Sequence, residues 1–145
     1  MHILLTRPLE DSMEMILKFK SLGHQVSHLP LISIDKINHE KINFSDYGGI
    51  IFTSANAVKF LDLDKLDKNI KCFCVGNITE KKARNVGFQN TFAAEGNVSN
   101  LEELILQYYD LKDRQLLYVS GEIISVDLDQ KLLKEGYSIK RIINY

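Results

Sequence analysis

The residues best suited to chemistry form a hydroxyl-rich turn, Thr53-Ser54, directly after the short apolar run 50–52. An apolar run of this length with glycines in front of it is typical of a buried strand. Ser54 is a natural N-cap for a helix that begins at Ala55. Open α/β sheets bind ligands at such strand-to-helix turns, and the N–H groups of a helix N-terminus favour anions. An ordinary helix cap has the same composition, so the turn alone leaves both interpretations open.

Three further stretches of small polar residues follow predicted strands. They are Gly76-Asn77-Ile78-Thr79, residues 95–99 and Ser120-Gly121-Glu122. Because the carboxyl ends of parallel strands meet at one edge of a sheet, we expect these turns to form one rim of hydroxyls, amides and helix N-termini. Such a rim can hold a polyanion through N–H and hydroxyl donors without a basic surface. Independent helix caps remain the alternative.

The motifs of several common enzyme classes are missing. The chain has no P-loop lysine motif, no H-E-x-x-H and no G-x-S-x-G elbow. All four histidines precede residue 40 without metal-ligand spacing, so we expect no metal site. Cys72 and Cys74 point to the same face of a predicted strand, where they are poor disulfide partners, as in a reducing compartment.

Composition excludes some partners. With 145 residues, 45% of them hydrophobic and 26% charged, the chain fits one globular domain, or one domain and a fragment of another. A net charge of −1 gives no sign of a nucleic acid or of an anionic membrane as partner. No apolar run approaches the roughly 18 residues of a membrane span. The N-terminus lacks the pattern of a signal peptide, so we expect a cytoplasmic location.

Residues 1–31 have the pattern of a single β-α-β unit. A strand at 3–5 ends at Thr6-Arg7-Pro8, and a helix follows with Asp11 and Glu14 at capping-box spacing. Gly23 ends that helix, and a second strand runs to Pro30. Residues 32–37 then alternate like a half-exposed strand before the polar segment 38–46.

From residue 48 onward, strands and helices alternate regularly. The predicted strands are 50–52, 72–75, 91–93, 116–119 and 139–144, and the predicted helices are 55–61, 80–86, a helix capped by Ser99 with Glu102, and 127–134. Such alternation implies βαβ units with right-handed crossovers. We therefore predict the α/β class, with a parallel, doubly wound, flavodoxin-like domain.

The order of these motifs resembles the uroporphyrinogen-III synthase family. The resemblance rests on Ile-Ile-Phe before Thr53-Ser54-Ala55-Asn56, on Val75-Gly76-Asn77-Ile78-Thr79, on Gly87-Phe88, on Thr6-Arg7-Pro8, on Gly121-Glu122 with Asp127-Leu128, on Gly136-Tyr137 and on the ending at Tyr145. Each motif alone is weak, but together and in order they are fairly specific. One residue departs from the pattern, since Ser120 stands where many members have an arginine.

The resemblance implies a cofactor-free enzyme of tetrapyrrole and heme biosynthesis that closes hydroxymethylbilane into a ring while inverting the last pyrrole. It also implies two α/β domains joined by a two-stranded linker, with the substrate in the cleft. Here 1–31 would open the first domain, 32–39 and 139–145 would be the linker strands, and 40–138 the inserted domain. The returning half of the first domain would be missing, so we expect 1–31 to be poorly packed.

The resemblance further implies a set of site residues. The substrate-binding ones are Thr53, Ser54, Asn56, Gly76, Asn77, Thr79, Arg7 and Gly121. Tyr145 matches the tyrosine thought to donate a proton to the departing hydroxyl, although it could equally be an aromatic residue that ends a linker strand. The expected partner is hydroxymethylbilane alone, bound by a monomer if the protein is complete. The alternatives are an inactive, truncated relic of the enzyme, and an unrelated flavodoxin-like binding or receiver module.

Overall fold

Residues 1–35 form a small β-α-β unit in the computed structural model, which describes all of residues 1–145. Its elements are β1 (His2–Leu5), α1 (Leu9–Ser21) and β2 (Gln25–His28). The two strands pair in parallel, with His2 opposite Gln25. This confirms the predicted β-α-β pattern of the first 31 residues.

Helix α1 begins earlier than predicted and buries little of its surface. It starts at Leu9, directly after Pro8, and Asp11 already lies in its first turn, so the predicted capping box at Asp11 is wrong. Acidic side chains in a first turn interact favourably with the helix dipole without acting as caps, and this accounts for the misleading pattern. Only Ser12 of the helix is buried, whereas Leu17 is 63% exposed. A unit of two strands and one helix is too small to cover its apolar side chains.

Residues 36–145 form the second unit, which is built on a parallel sheet of five strands. The strands are β3 (Tyr47–Phe52), β4 (Lys71–Val75), β5 (Thr91–Ala94), β6 (Gln115–Ser120) and β7 (Ile139–Ile143), and the helices are α2 (Ala55–Phe60), α3 (Asn77–Asn85), α4 (Val98–Tyr108) and α5 (Leu128–Lys134). The α/β class and the parallel sheet are confirmed. None of the helices is long and apolar enough to cross a membrane.

The sheet is covered on both faces, because successive residues of each strand point to opposite sides. Ile50 and Phe52 pack with Ala57 and Val58 of α2 on one face, in a cluster that also contains Ala83 of α3. Ile51, between them, packs on the other face with residues of α4 and α5. Strands buried on both sides read as continuous apolar runs, as Ile50–Phe52 does.

The strand order corrects one prediction. The order across the sheet is β5-β4-β3-β6-β7, so that, counted within this unit, the strands run 3-2-1-4-5. A flavodoxin-like sheet runs 2-1-3-4-5, and the order found here is that of the dinucleotide-binding folds. Apolar periodicity identifies each strand but does not tell on which side of the first strand the chain continues. The chain adds β4 and β5 on one side of β3 and then β6 and β7 on the other, so the strand order reverses between β3 and β6.

The N-cap of helix α4 lies two residues before the predicted cap. Asn97 is its N-cap, and its Oδ1 accepts hydrogen bonds from the backbone N–H groups of Ser99 and Asn100. The predicted capping box of Ser99 and Glu102 is therefore wrong. Glu102 instead forms an ion pair with Lys131 of α5, 3.3 Å away. Asn is as good a cap as Ser, so composition alone could not choose between them.

The two predicted linker segments differ in structure. No strand lies between residues 29 and 43, where an alternating pattern predicted one at 32–37. Residues 139–145 contain β7, which pairs with β6 as an edge strand of the sheet. The two segments share one hydrogen bond, from the Ile37 N–H to the Asn144 carbonyl, 2.9 Å. Their role as linkers between domains stays a prediction.

Candidate functional site

A pocket of about 190 Å³ opens at the carboxyl edge of the five-stranded sheet. Thr53 and Ser54, which follow β3, form one side of it. Gly121 and residues 123–126, which follow β6, form the other side, together with Tyr145 after β7. The pocket therefore lies between β3 and β6, where the strand order reverses, which is the usual ligand position in open α/β sheets. Four of the predicted site residues meet here: Thr53, Ser54, Gly121 and Tyr145.

The turn after β3 is both a helix cap and a pocket wall. Ser54 is the N-cap of α2, and its hydroxyl accepts a hydrogen bond from the Asn56 N–H at 3.2 Å. Thr53 points its hydroxyl toward β6, with Oγ1 3.4 Å from the Tyr118 hydroxyl. Asn56 lies in the first turn of α2 and does not line the pocket. The two interpretations of this turn are thus compatible.

Tyr118 is a pocket residue that the sequence analysis missed. It is buried in β6, only 1% exposed, and it lines the pocket on the side facing Thr53. Burial raises the pKa of Tyr118, against the smaller opposing effects of the Thr53 hydroxyl and of Arg141. The phenol is therefore neutral at physiological pH and can donate a hydrogen bond. The apolar run Leu-Leu-Tyr-Val favoured a core role, although the tyrosine lies two residues before the predicted turn, on the same strand face as Ser120.

Arg141 is the second residue that was missed. From β7 its Nε donates to Ser120 Oγ at 2.8 Å, and its Nη2 donates to the carbonyls of Gly121 at 2.9 Å and Glu122 at 3.3 Å. The Arg141 guanidinium therefore binds the turn at residues 120–122 from the neighbouring strand. It brings a positive charge to the turn in which Ser120 replaces the expected arginine. Its only signal in the sequence was a pair of basic residues, Lys140 and Arg141, between the isoleucines of the last strand.

Tyr145 packs against the backbone of Gly121. A Cβ placed on Gly121 would lie 2.8 Å from Cε2 and 3.2 Å from the hydroxyl of Tyr145, so no larger residue fits without displacement. The Tyr145 carbonyl accepts a hydrogen bond from the Glu122 N–H at 2.9 Å. The ring also contacts Phe60, with centroids 6.4 Å apart. The side chain is thus confined at the pocket wall.

The turn before α3 is not part of this pocket. Helix α3 begins at Asn77, three residues before the predicted start, which places Thr79 inside its first turn. Thr79 is buried, 5% exposed, and Asn77 is exposed. Gly76 adopts a φ of +79°, and its N–H donates to the Ala94 carbonyl at 2.9 Å. None of these three residues lines the pocket that Thr53 and Tyr145 line, and their part in binding stays a prediction.

Arg7 belongs to the unit formed by residues 1–35. Its carbonyl accepts hydrogen bonds from Ser12 Oγ at 3.3 Å and from His28 Nε2 at 2.8 Å. These contacts connect the end of β1 to α1 and β2. They assign the Arg7 backbone a structural role within its own unit.

The pocket lining offers hydrogen-bond donors and apolar surface. It contains no histidine and no carboxylate, and elsewhere no three His, Cys, Asp or Glu side chains are grouped closely enough to hold a metal ion. Its donors are the hydroxyls of Thr53, Ser54, Tyr118, Ser125 and Tyr145. Apolar contacts come from Val98, Ile123, Ile124 and Val126. Without a base beside a hydroxyl, the arrangement suits hydrogen bonding and proton donation rather than nucleophilic attack.

Comparisons with known proteins agree with one another. The family model for HEM4, uroporphyrinogen-III synthase HemD, matches residues 13–145. The porphyrin biosynthesis protein HemD of Ruminiclostridium josui is 32% identical over a match that covers 64% of this chain and 21% of that protein. The crystal structure of uroporphyrinogen-III synthetase from Helicobacter pylori 26695 is similar in fold, with a TM-score of 0.60 at 19% identity, over 99% of this chain and 59% of that one. The chain thus spans only part of either relative's length. It belongs to the uroporphyrinogen-III synthase family.

Proposed function

We propose that this chain, by itself or as part of a longer protein, closes hydroxymethylbilane to uroporphyrinogen III with inversion of the last pyrrole ring. Membership of the family supports a role in porphyrin and heme biosynthesis. The observation that carries the proposal is the pocket at the β3–β6 reversal, because Thr53, Ser54, Gly121 and Tyr145 all line it. The unrelated binding or receiver module is set aside, since the chain belongs to the synthase family.

In this proposal Tyr145 is the general acid. The bond between the terminal CH₂ and its hydroxyl breaks, and the electron pair leaves with the oxygen. The proton of the Tyr145 phenol converts that oxygen to water, while the pyrrole nitrogen stabilises the remaining azafulvene cation. The substituted carbon of the last pyrrole attacks this cation and forms a spiro intermediate. The bond from that carbon to its original methylene bridge then breaks, the bridge bonds to the free α-carbon of the same ring, and the proton lost from that carbon restores the phenol. General acids of this kind contribute about 10²–10⁴-fold to a rate.

The remaining task is to position the substrate. Thr53 and Ser54 supply hydroxyl donors for substrate carboxylates, and Arg141 supplies a positive charge beside the Gly121 turn. Holding reacting groups in the correct geometry lowers the barrier without a strong nucleophile, and it favours inversion over direct closure. The apolar residues Ile123 and Ile124 offer surface for a pyrrole face.

The pocket is smaller than a whole tetrapyrrole requires, since pockets for drug-sized ligands hold about 300–1,000 Å³. The substrate therefore extends beyond it in this proposal, toward Asn77, which is exposed in the first turn of α3.

Contacts from Asn56, Gly76, Thr79 and Arg7 rest on the family resemblance alone. So does the division into an opening segment 1–31, linker segments and an inserted domain. The proposal further includes a monomer in the cytoplasm, where the free thiols of Cys72 and Cys74 fit the reducing conditions.

The test is the isomer ratio of the product. Purified chain is added to freshly generated hydroxymethylbilane, and the oxidised products are separated as uroporphyrin I and uroporphyrin III. We expect the III isomer to increase with protein concentration, relative to heat-denatured chain. A ratio equal to that of the denatured control, even at high protein concentration, contradicts catalysis by this chain and supports the inactive relic. Family membership does not depend on the result.

A further inference from the structure

Asn144, the residue before Tyr145, is fully buried and has one unpaired polar atom. Its exposed fraction is 0%, and its Oδ1 has no hydrogen-bond partner. Buried polar atoms are nearly always paired, and an unpaired one is unfavourable for stability. The amide therefore carries a cost at Oδ1, against which its Nδ2 supplies a hydrogen bond to a neighbouring element.

The other polar groups of Asn144 are all paired, each with a different segment. Its N–H donates to the Ser120 carbonyl at 3.1 Å, and its carbonyl accepts from the Ile37 N–H at 2.9 Å. Its side-chain Nδ2 donates to the Ala57 carbonyl at 2.9 Å. The orientation of the amide follows from this last contact, because a carbonyl can accept only from the NH₂ group.

Two of the three partners, Ala57 and Ser120, lie in elements that adjoin the two walls of the pocket. Ala57 lies in the first turn of α2, directly after the Thr53-Ser54 turn. Ser120 ends β6 directly before Gly121, on which the Tyr145 ring packs. Asn144 therefore ties the backbone that carries Tyr145 to both walls of the pocket.

We propose that Asn144 is a positioning residue that fixes the Tyr145 ring at the pocket wall. Its effect on turnover rests on the proposed function, whereas its effect on the ring does not. Three hydrogen bonds hold the residue before Tyr145, and the ring has no rotational space toward Gly121. Removing the amide breaks the hydrogen bond to Ala57 of α2 and leaves only the backbone hydrogen bonds to Ser120 and Ile37.

The ring is observed directly by ¹⁹F NMR of protein labelled with 3-fluorotyrosine. The chain has six tyrosines, and Tyr145→Phe identifies the resonance of Tyr145. In Asn144→Ala we expect this resonance to move toward the value of free fluorotyrosine, while those of the other tyrosines shift little. Ile142→Val serves as the control, because it weakens the core beside Asn144 without removing a hydrogen bond. It should lower the unfolding midpoint and leave the Tyr145 resonance in place.

Turnover supplies the second readout. We expect Asn144→Ala to lower kcat about tenfold with little change in KM, because misplaced reacting groups slow the chemical step. In a Tyr145→Phe background the same substitution should have no further effect on kcat, although it lowers the unfolding midpoint equally. A Tyr145 resonance that does not move, or an equal loss of kcat in both backgrounds, would overturn the proposal.

The test remains decisive if a variant does not fold or if the chain has no activity. If Asn144→Ala does not fold, Asn144→Leu takes its place, since it keeps nearly the shape of the side chain and removes the Nδ2 donor without burying a charge. If the unmodified chain produces no III isomer, the proposed function fails for this chain. The ¹⁹F spectra then decide the positioning role by themselves.

Discussion

The Tyr145 ring lies directly on the Gly121 backbone, and a Cβ at Gly121 would be 2.8 Å from Cε2 and 2.9 Å from Cζ. Two parts of the pocket wall that are distant in sequence, the end of β6 and the end of β7, meet in this contact. The Glu122 N–H, which donates to the Tyr145 carbonyl, fixes the same approach through the backbone. Gly121 is required here for close approach, without any need for a left-handed backbone.

Gly121→Ala should therefore act on the ring. The added methyl group displaces Tyr145, and we expect the rate of uroporphyrinogen III formation to fall about ten- to a hundredfold. Overpacking should also lower the free energy of unfolding by about 1–3 kcal/mol. Gly48→Ala is the control, because its methyl group would lie 2.5 Å from the Tyr109 hydroxyl, far from the pocket. Both activities are measured under conditions in which the variants are folded. A similar loss of activity in both variants would contradict a specific effect at Gly121.

Tyr118→Phe tests the phenol that was found only in the structure. The hydroxyl is 3.4 Å from Thr53 Oγ1, a long contact, so its loss should cost less than about 1 kcal/mol of unfolding free energy. If this hydroxyl orients Thr53 toward substrate, KM for hydroxymethylbilane should rise several-fold. Tyr137→Phe loses a better hydrogen bond, 2.9 Å to the Tyr109 carbonyl, at the other end of the sheet. We expect Tyr137→Phe to be less stable than Tyr118→Phe and to keep the original KM. A raised KM in Tyr137→Phe with an unchanged KM in Tyr118→Phe would rule out this role for Tyr118.

Ile123→Ser separates binding from folding. Ile123 lines the pocket and is 93% exposed, so its replacement should change the free energy of unfolding by less than about 0.5 kcal/mol. Contact between its side chain and a pyrrole face would make KM rise several-fold with kcat unchanged. Leu111→Ser, at an exposed position outside this pocket, is the matched control. Equal KM values for the two variants would exclude Ile123 from substrate binding.

Much of the fold could be predicted from the sequence because local patterns determine it. Apolar runs such as Ile50–Phe52 revealed the strands, and Ser54 correctly predicted the start of α2. Strand order could not be predicted, because periodicity carries no information about the side on which a crossover returns. The cap of α4 was misplaced because both Asn97 and Ser99 can accept the first N–H bonds. Helix α1 begins directly after Pro8 without a side-chain cap, which the acidic residues of its first turn concealed.

The candidate site was predicted only in part, for a related reason. Thr53, Ser54 and Gly121 stand in turns directly after strands, where the parallel sheet brings them to one edge. Tyr118 and Arg141 lie inside strands. Tyr118 reaches the site through the pairing of β6 with β3, and Arg141 reaches it through the pairing of β7 with β6. A single sequence does not specify these registers.

The core of the second unit contains several acids that are held in their protonated form. Contact with the Cys74 thiol, followed by burial, raises the pKa of the Cys72 thiol. Burial, aided by the Asp113 carboxylate, raises the pKa of Tyr109 to about 12. Burial also raises the pKa values of Tyr47, Tyr118 and Tyr137. In an unfolded chain these groups titrate near about 8.5 for Cys and about 10 for Tyr.

Stability should consequently decrease at alkaline pH. An acid whose folded pKa is raised contributes its full stability below the unfolded pKa, and this contribution is lost as the pH rises toward the folded value. We expect the urea midpoint to be constant up to about pH 8.5 and then to fall, more steeply above about pH 10 as the tyrosines of the unfolded chain ionise. Cys72→Ala should flatten the first part of this decrease, and Tyr109→Phe should flatten the part between about pH 10 and 12. Midpoints from urea titrations at half-unit pH intervals test both variants against the unmodified chain, and a midpoint that stays constant to pH 11 would contradict the assignment of these groups as buried acids.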